Sequence, residues 1–152
     1  MSILVFILGK WSERNKDAKQ RITQEKIAVY KKFIDHYFGI FSQEKVTGVG
    51  KTQGEIMAEL FEFQKELIFW GSDSVITAYA DHREKLINFS GHLQPDKQET
   101  AKQLAAVLKS VANLIAAMRR DIGYPFTSFD AKKLAAFQLA TDEETRKIFD
   151  HL

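Results

Sequence analysis

Residues 47–52 read Thr-Gly-Val-Gly-Lys-Thr, and the last three are how a phosphate-binding loop ends. Such a loop cradles nucleotide phosphates with backbone N–H groups while its lysine reaches the terminal phosphates. That chemistry needs a glycine five residues before the second one, a strand before the loop and a helix after it. The earlier position here is Lys45, and the run ahead of it, KKFIDHYFGIF, has the character of a helix. No apolar strand ending in a metal-binding aspartate follows. The spacing suits a helix start instead. Thr52 and Glu55 form a T-x-x-E capping box, in which the hydroxyl accepts from the backbone near Glu55. Gly48 and Gly50 let the chain turn, Lys51 is a solvated loop lysine, and no nucleotide is expected.

The other reactive side chains are as sparse. Of the four histidines, His36, His82, His92 and His151, none has a glutamate three residues before it, and no His-Glu-x-x-His occurs. The di-iron and zinc patterns of helical proteins are therefore missing. His36 and His82 fall on or beside apolar stripes and read as packed, hydrogen-bonded residues. Asp81 and His82 are adjacent, but neighbours on a helix point about 100° apart, so a charged face is expected rather than an acid–base pair. Arg119 and Arg120 sit in the last turn of a helix, where cations suit the negative end of its dipole. With Arg83 they are the candidate contacts for an anion. No cysteine is present, which removes disulfides, thiolate metal sites and cysteine nucleophiles. No cofactor or metal and no catalytic residue is assigned.

The elements that hold these residues follow from helical periodicity. In a long first helix, to about residue 42, Ile22, Val29, Phe33 and Ile40 share a face. Ile27, Tyr30, Ile34, Tyr37 and Phe41 form an adjacent stripe. A second helix carries Ile56, Leu60, Phe63, Leu67 and Trp70 and stops at Gly71, a residue suited to a left-handed helix end. Ser72 then caps a third helix through Val75, Tyr79, His82, Leu86 and Phe89. Asp96 with Glu99 opens a fourth, whose seam is Ala101, Leu104, Leu108, Val111, Ile115, Met118 and Ile122. Gly123 and Pro125 end it. Thr127 with Asp130 caps a short fifth helix around 132–139, and Thr141 with Glu144 caps a last one. Two prolines and eight glycines in 152 residues suit this all-α reading.

The net charge of +2 conceals an asymmetry: residues 10–32 hold eight Lys/Arg against three acids, net +5, so the remainder sums to −3. No recognised nucleic-acid module accompanies the basic stretch, and the aromatics lie on core stripes, so nucleic acid is not expected. Ahead of it stand Ile3, Leu4, Val5, Phe6, Ile7 and Leu8, then Trp11. Six residues of helix rise about 9 Å against a hydrocarbon core of about 30 Å, too little to span. No charge precedes them and no small-x-small site follows, so they make a poor signal peptide. Two covers suit them: the domain itself or a neighbouring copy, or an anionic membrane surface with Trp11 at the interface.

FWGSDSVITAYADHR and MRRDIGYP together resemble a family of uncharacterised bacterial helical proteins. In that family a W/Y-G-S-D-x-V-I turn and helix precedes a helix ending in Arg-x-Asp-x-Gly. The resemblance covers roughly residues 66–124. It implies a helical fold whose paired helix ends meet, and membrane-inserted segments before a basic helix; ILVFILGKW resembles the tail of one. It carries over no catalytic residue. The expectation is an apolar foot at 1–11 and a single domain at 12–152. The fold is a long N-terminal helix, then an antiparallel bundle with two short C-terminal helices. Its expected role is a non-enzymatic interaction module, cytoplasmic, self-associating as a homo-oligomer and peripheral to the inner membrane through its N-terminus. The alternative is a sensor or effector that binds a small molecule or anion.

If residues 47–52 serve a helix cap, Thr52→Ala costs about 1 kcal/mol in chemical denaturation and Lys51→Ala leaves stability unchanged. Saturable ATP or GTP binding that disappears in Lys51→Ala would contradict the cap.

Overall fold

The computed structural model describes residues 2–47, 52–91 and 97–138. Five helices account for most of them: α1 (Ser2–Thr47), α2 (Gln53–Trp70), α3 (Asp73–Gly91), α4 (Lys97–Asp121) and α5 (Ala131–Gln138). The described residues include no strand, so the fold is all-α as expected. The last helix, expected from the Thr141–Glu144 box, lies outside the described residues, as do Lys51 and the Asp96 cap. The helices group into two compact units, Met1–Trp70 and Gly71–Leu152.

In the first unit α2 runs antiparallel to α1. Lys32 meets Glu66, Phe33 meets Phe63 and His36 meets Glu59, so the numbers climb on one helix as they fall on the other. The start of α2 is the expected capping box. Thr52 Oγ1 accepts from the Glu55 N–H at 3.3 Å, and the Glu55 carboxylate accepts from the Thr52 N–H and hydroxyl, each at 2.8 Å. Two orphan amide donors of the first turn are thereby satisfied. The buried face is Val29, Tyr30, Phe33 and Tyr37 against Phe63 and Leu67. These four α1 residues straddle the boundary between the two expected stripes. Ile22 and Ile27 are exposed, contrary to expectation. The reason is length: the 46 residues of α1 rise about 69 Å and the 18 of α2 only about 27 Å. Trp70 lies one turn beyond Glu66, so α2 ends about one turn N-terminal of Lys32, and its cover stops there.

In the second unit α3 and α4 are antiparallel and α5 packs on α4. Ser72 precedes α3, its carbonyl accepting from the Val75 and Ile76 N–H groups, each at 3.0 Å. Gly71 does not adopt a positive φ; among the described residues only Gly123 does, at 107°. The Ser72 carbonyl thus opens α3, and α2 ends at Trp70 without a left-handed glycine. At the end of α4 the left-handed residue is required. The Gly123 N–H donates to the Arg120 carbonyl (3.2 Å) and the Tyr124 N–H to the Arg119 carbonyl (2.9 Å), the paired bonds of a Schellman motif. Asp130, not Thr127, caps α5: its Oδ1 accepts from the Lys133 N–H at 2.9 Å. Thr127 Oγ1 is engaged by Arg119 and the Phe129 N–H.

The α4 seam is confirmed: Ala101, Leu108, Val111, Ile115 and Met118 are buried, and Leu104 and Ile122 half-buried. Ala105, Val107, Ala112, Leu114, Ala116 and Ala117 are buried as well, so α4 is covered well beyond one stripe. Its small residues let neighbouring helices approach closely, and Leu134 and Ala135 of α5 are buried completely. Leu108 is 3% exposed. Leu108→Ala is expected to cost about 2–5 kcal/mol through lost transfer energy and a residual cavity. Urea denaturation gives the value, and a loss under 1 kcal/mol would place this side chain outside a well-packed core.

Candidate functional site

Residues 13–28 of α1 lie beyond the reach of α2. All are exposed except Thr23 and Lys26, which are half-buried. Residues 10–28 carry Lys10, Arg14, Lys16, Lys19, Arg21 and Lys26 against Glu13, Asp17 and Glu25, a net of +3. The basic stretch is thus a solvated helical arm, continuous with the packed half of the same helix. Residues 3–8 and 11 belong to the backbone of α1, and their side chains lie outside the described residues.

Where α1 and α2 pack, they leave a surface groove of about 580 Å³. Its apolar lining is Phe33, Leu60 and Phe63, with the Phe33 and Phe63 ring centroids 5.0 Å apart. Its rim holds Asp35, Glu59, Glu62 and Glu66 with Lys32 and His36. Lys32 Nζ donates to Glu66 Oε1 at 2.6 Å, and His36 Nδ1 pairs with Glu59. Asp35 pairs with Lys31 and Glu62 with Lys65, both on the surface. On α2, Phe61, Ile68 and Phe69 are exposed, Ile68 and Phe69 by about three quarters. Lys65 Nζ lies over the Phe61 ring, 5.6 Å from its centroid.

In the second unit a histidine and a hydroxyl lie close together. His82 and Ser110 are 3% and 2% exposed, and His82 Nδ1 lies 3.0 Å from Ser110 Oγ. Ser110 Oγ donates to the Val107 carbonyl at 2.8 Å. The serine proton is thereby committed, so the histidine N–H is the donor between them. A base that activates a nucleophile needs the opposite arrangement, with the hydroxyl donating to the imidazole. Burial pushes the His82 pKa down to about 4, with Asp81 opposing. Asp81 instead turns outward to Lys85, and that hydrogen bond raises the lysine pKa. The expected packed histidine at 82 is therefore found, and Asp81 and His82 form no working pair. Ser110 was not singled out from the sequence. It stands beside seam residue Val111, and only its proximity to His82 across the α3–α4 contact distinguishes it.

The three arginines do not share a site. Arg83 is exposed on α3. Arg119 lies over the Tyr124 ring, 5.1 Å from its centroid, and its Nε donates to Thr127 Oγ1 at 2.8 Å. It fastens the loop after α4. Arg120 lines an open crevice of about 530 Å³ with Asp73, Ser74, Thr77, Asp81 and Asn113. Two carboxylates against one guanidinium make this a poor anion receptor. Among the described residues no three His, Asp or Glu side chains are grouped to hold a metal. No helix of the described residues is long and apolar enough to cross a membrane.

No protein-family profile matches the chain, and no curated protein or solved structure is significantly similar to it.

The His82 environment has a measurable consequence. Its folded pKa of about 4 lies below the 6.5 of an unperturbed histidine. Above pH 6.5 the imidazole is neutral in both states. Between 6.5 and 4 the unfolded chain binds a proton that the folded one refuses, so stability falls as pH drops. The full window is worth about 3 kcal/mol. His82→Gln should remove that portion of the slope when denaturation is compared at pH 7 and pH 4. Equal slopes in the two proteins would contradict a neutral, desolvated His82.

Proposed function

We propose that this protein is a non-enzymatic helical interaction module whose contact segment is the N-terminal half of α1. The observation that carries this reading is the solvated arm: residues 13–26 are helical and, Thr23 and Lys26 apart, exposed, with net positive charge and no cover from α2. A helix without tertiary packing draws little stability from its own propensity, so an arm of this length gains most of its order from a partner. The apolar run at 3–8 strengthens the case. It has no polar face, and each such side chain left in water forgoes roughly 1.5–3 kcal/mol of burial. The exposed Phe61, Ile68 and Phe69 add apolar surface of the kind that marks interaction sites.

The module self-associates as a homo-oligomer and attaches to the cytoplasmic face of a membrane, peripheral to the inner membrane, through residues 3–8 and Trp11. Lys10, Arg14, Lys16 and Lys19 then face anionic headgroups. The alternative of an anion-binding sensor using Arg83, Arg119 and Arg120 has less support. One arginine holds a loop, another shares its crevice with two carboxylates, and the third stands apart on α3.

Deleting residues 1–9 should leave the helical signal and thermal transition of the rest intact while weakening self-association or flotation with anionic liposomes. Any flotation should decline as salt rises, because the basic arm supplies part of it. A deleted chain that stays folded with unchanged mass and unchanged lipid binding would sink the proposal.

A further inference from the structure

The groove between α1 and α2 and the arm of α1 are complementary in three respects. The first is charge. The groove rim holds Asp35, Glu59, Glu62 and Glu66, paired with Lys31, His36, Lys65 and Lys32 respectively, which leaves a balance of −1 with His36 neutral. The arm carries +3. The second is pattern. Trp11, Ala18 and Ile22 are spaced seven and four, which puts them on one helical stripe. Lys10, Arg14, Arg21, Lys19 and Lys26 flank that stripe, with Asn15 and Glu25 also beside it, so its borders are predominantly basic where those of the groove are predominantly acidic. The third is length. The α2 wall of the groove, residues 58–66, rises about 13 Å, which lies within the roughly 28 Å of residues 10–28.

The groove cannot be filled by its own arm. α1 is one unbroken helix from Ser2 to Thr47, and groove residues Lys32 to His36 belong to it, so the arm leads away from them. Building on the reading of the arm as contact segment, we infer that the α1–α2 groove receives the arm of a second copy of this chain. The Ala18–Ile22 stripe lies on Phe33, Leu60 and Phe63, and the arm's cations border Asp35, Glu59, Glu62 and Glu66. Two chains related by a two-fold axis, with their α1 helices antiparallel, place each arm in the other's groove. Both sites are then filled and the assembly closes as a dimer.

A charge-swap experiment on the full chain tests this by sedimentation equilibrium. The groove variant is Asp35→Lys with Glu62→Lys. The arm variant is Arg14→Glu with Arg21→Glu. All four side chains are exposed. The two groove carboxylates take part only in surface ion pairs, which contribute little to folding. Each variant alone faces two like-charged contacts in its homodimer, and its dissociation constant should rise by about tenfold or more. Mixed one to one, every arm meets a groove of opposite sign, and heterodimers should form with near wild-type affinity. If a reversal lowers the helical signal, Asp35→Asn with Glu62→Gln and Arg14→Gln with Arg21→Gln replace it, each weakening association and its salt dependence. A groove variant that dimerises like wild type, or a mixture that stays monomeric, overturns the groove as the receptor. If the arm variant alone is impaired, the arm remains a contact segment and its receptor lies elsewhere. A wild-type chain that is monomeric at all concentrations overturns self-association itself.

Discussion

Phe33 against Phe63 fixes where an 18-residue helix covers a 46-residue one. Around that contact Val29, Tyr30, Tyr37 and Leu67 are withdrawn from water, and the Lys32–Glu66 and His36–Glu59 pairs border it. The register leaves nothing of α2 to lie against residues 2–26. The exposed arm, the acidic groove beside the contact and the proposed partner surface all follow from it. A one-turn slip of α2 toward its own N-terminus would uncover more of the arm. Such a slip would also break the Lys32–Glu66 pairing.

The second unit is organised differently. α4 is buried on several sides, and among its described residues Ser110 is the buried polar one. His82 is held there as a neutral imidazole because burial disfavours the charged ring; its Nδ1–H donates to Ser110, whose own hydroxyl donates to the Val107 carbonyl. The pairing satisfies two buried polar groups across two helices and ties their register together. It also leaves the serine without the features of a nucleophile.

Periodicity and capping chemistry made most of the helices legible. The Thr52–Glu55 box, the Gly123 stop and the Leu108–Val111 seam are local patterns, and each is realised as read. The box also explains why a phosphate-loop ending stands at 50–52: the threonine opens a helix. The misses are those that local pattern cannot decide. Ile22 and Ile27 repeat at helical spacing like core residues, yet their burial depends on where α2 ends. Gly71 can adopt a left-handed conformation, yet α2 ends at Trp70 without one. Thr127 and Asp130 both suit a cap, and Arg119 takes the first. The candidate site was legible in half: the basic stretch shows in the charge distribution, whereas the groove combines Asp35 with Glu59, Glu62 and Glu66, side chains more than twenty residues apart.

The proposed association requires the arm to be uncovered in the single chain and covered in the dimer. Amide hydrogen exchange followed across a dilution series reads this directly, because helix lacking tertiary cover exchanges near the fast limit. The account expects residues 13–28 to exchange far faster than α4 at low concentration, and to gain protection together with residues 55–66 as mass rises. Protection of 13–28 that is already high in the monomer, or that stays low while mass increases, would contradict it.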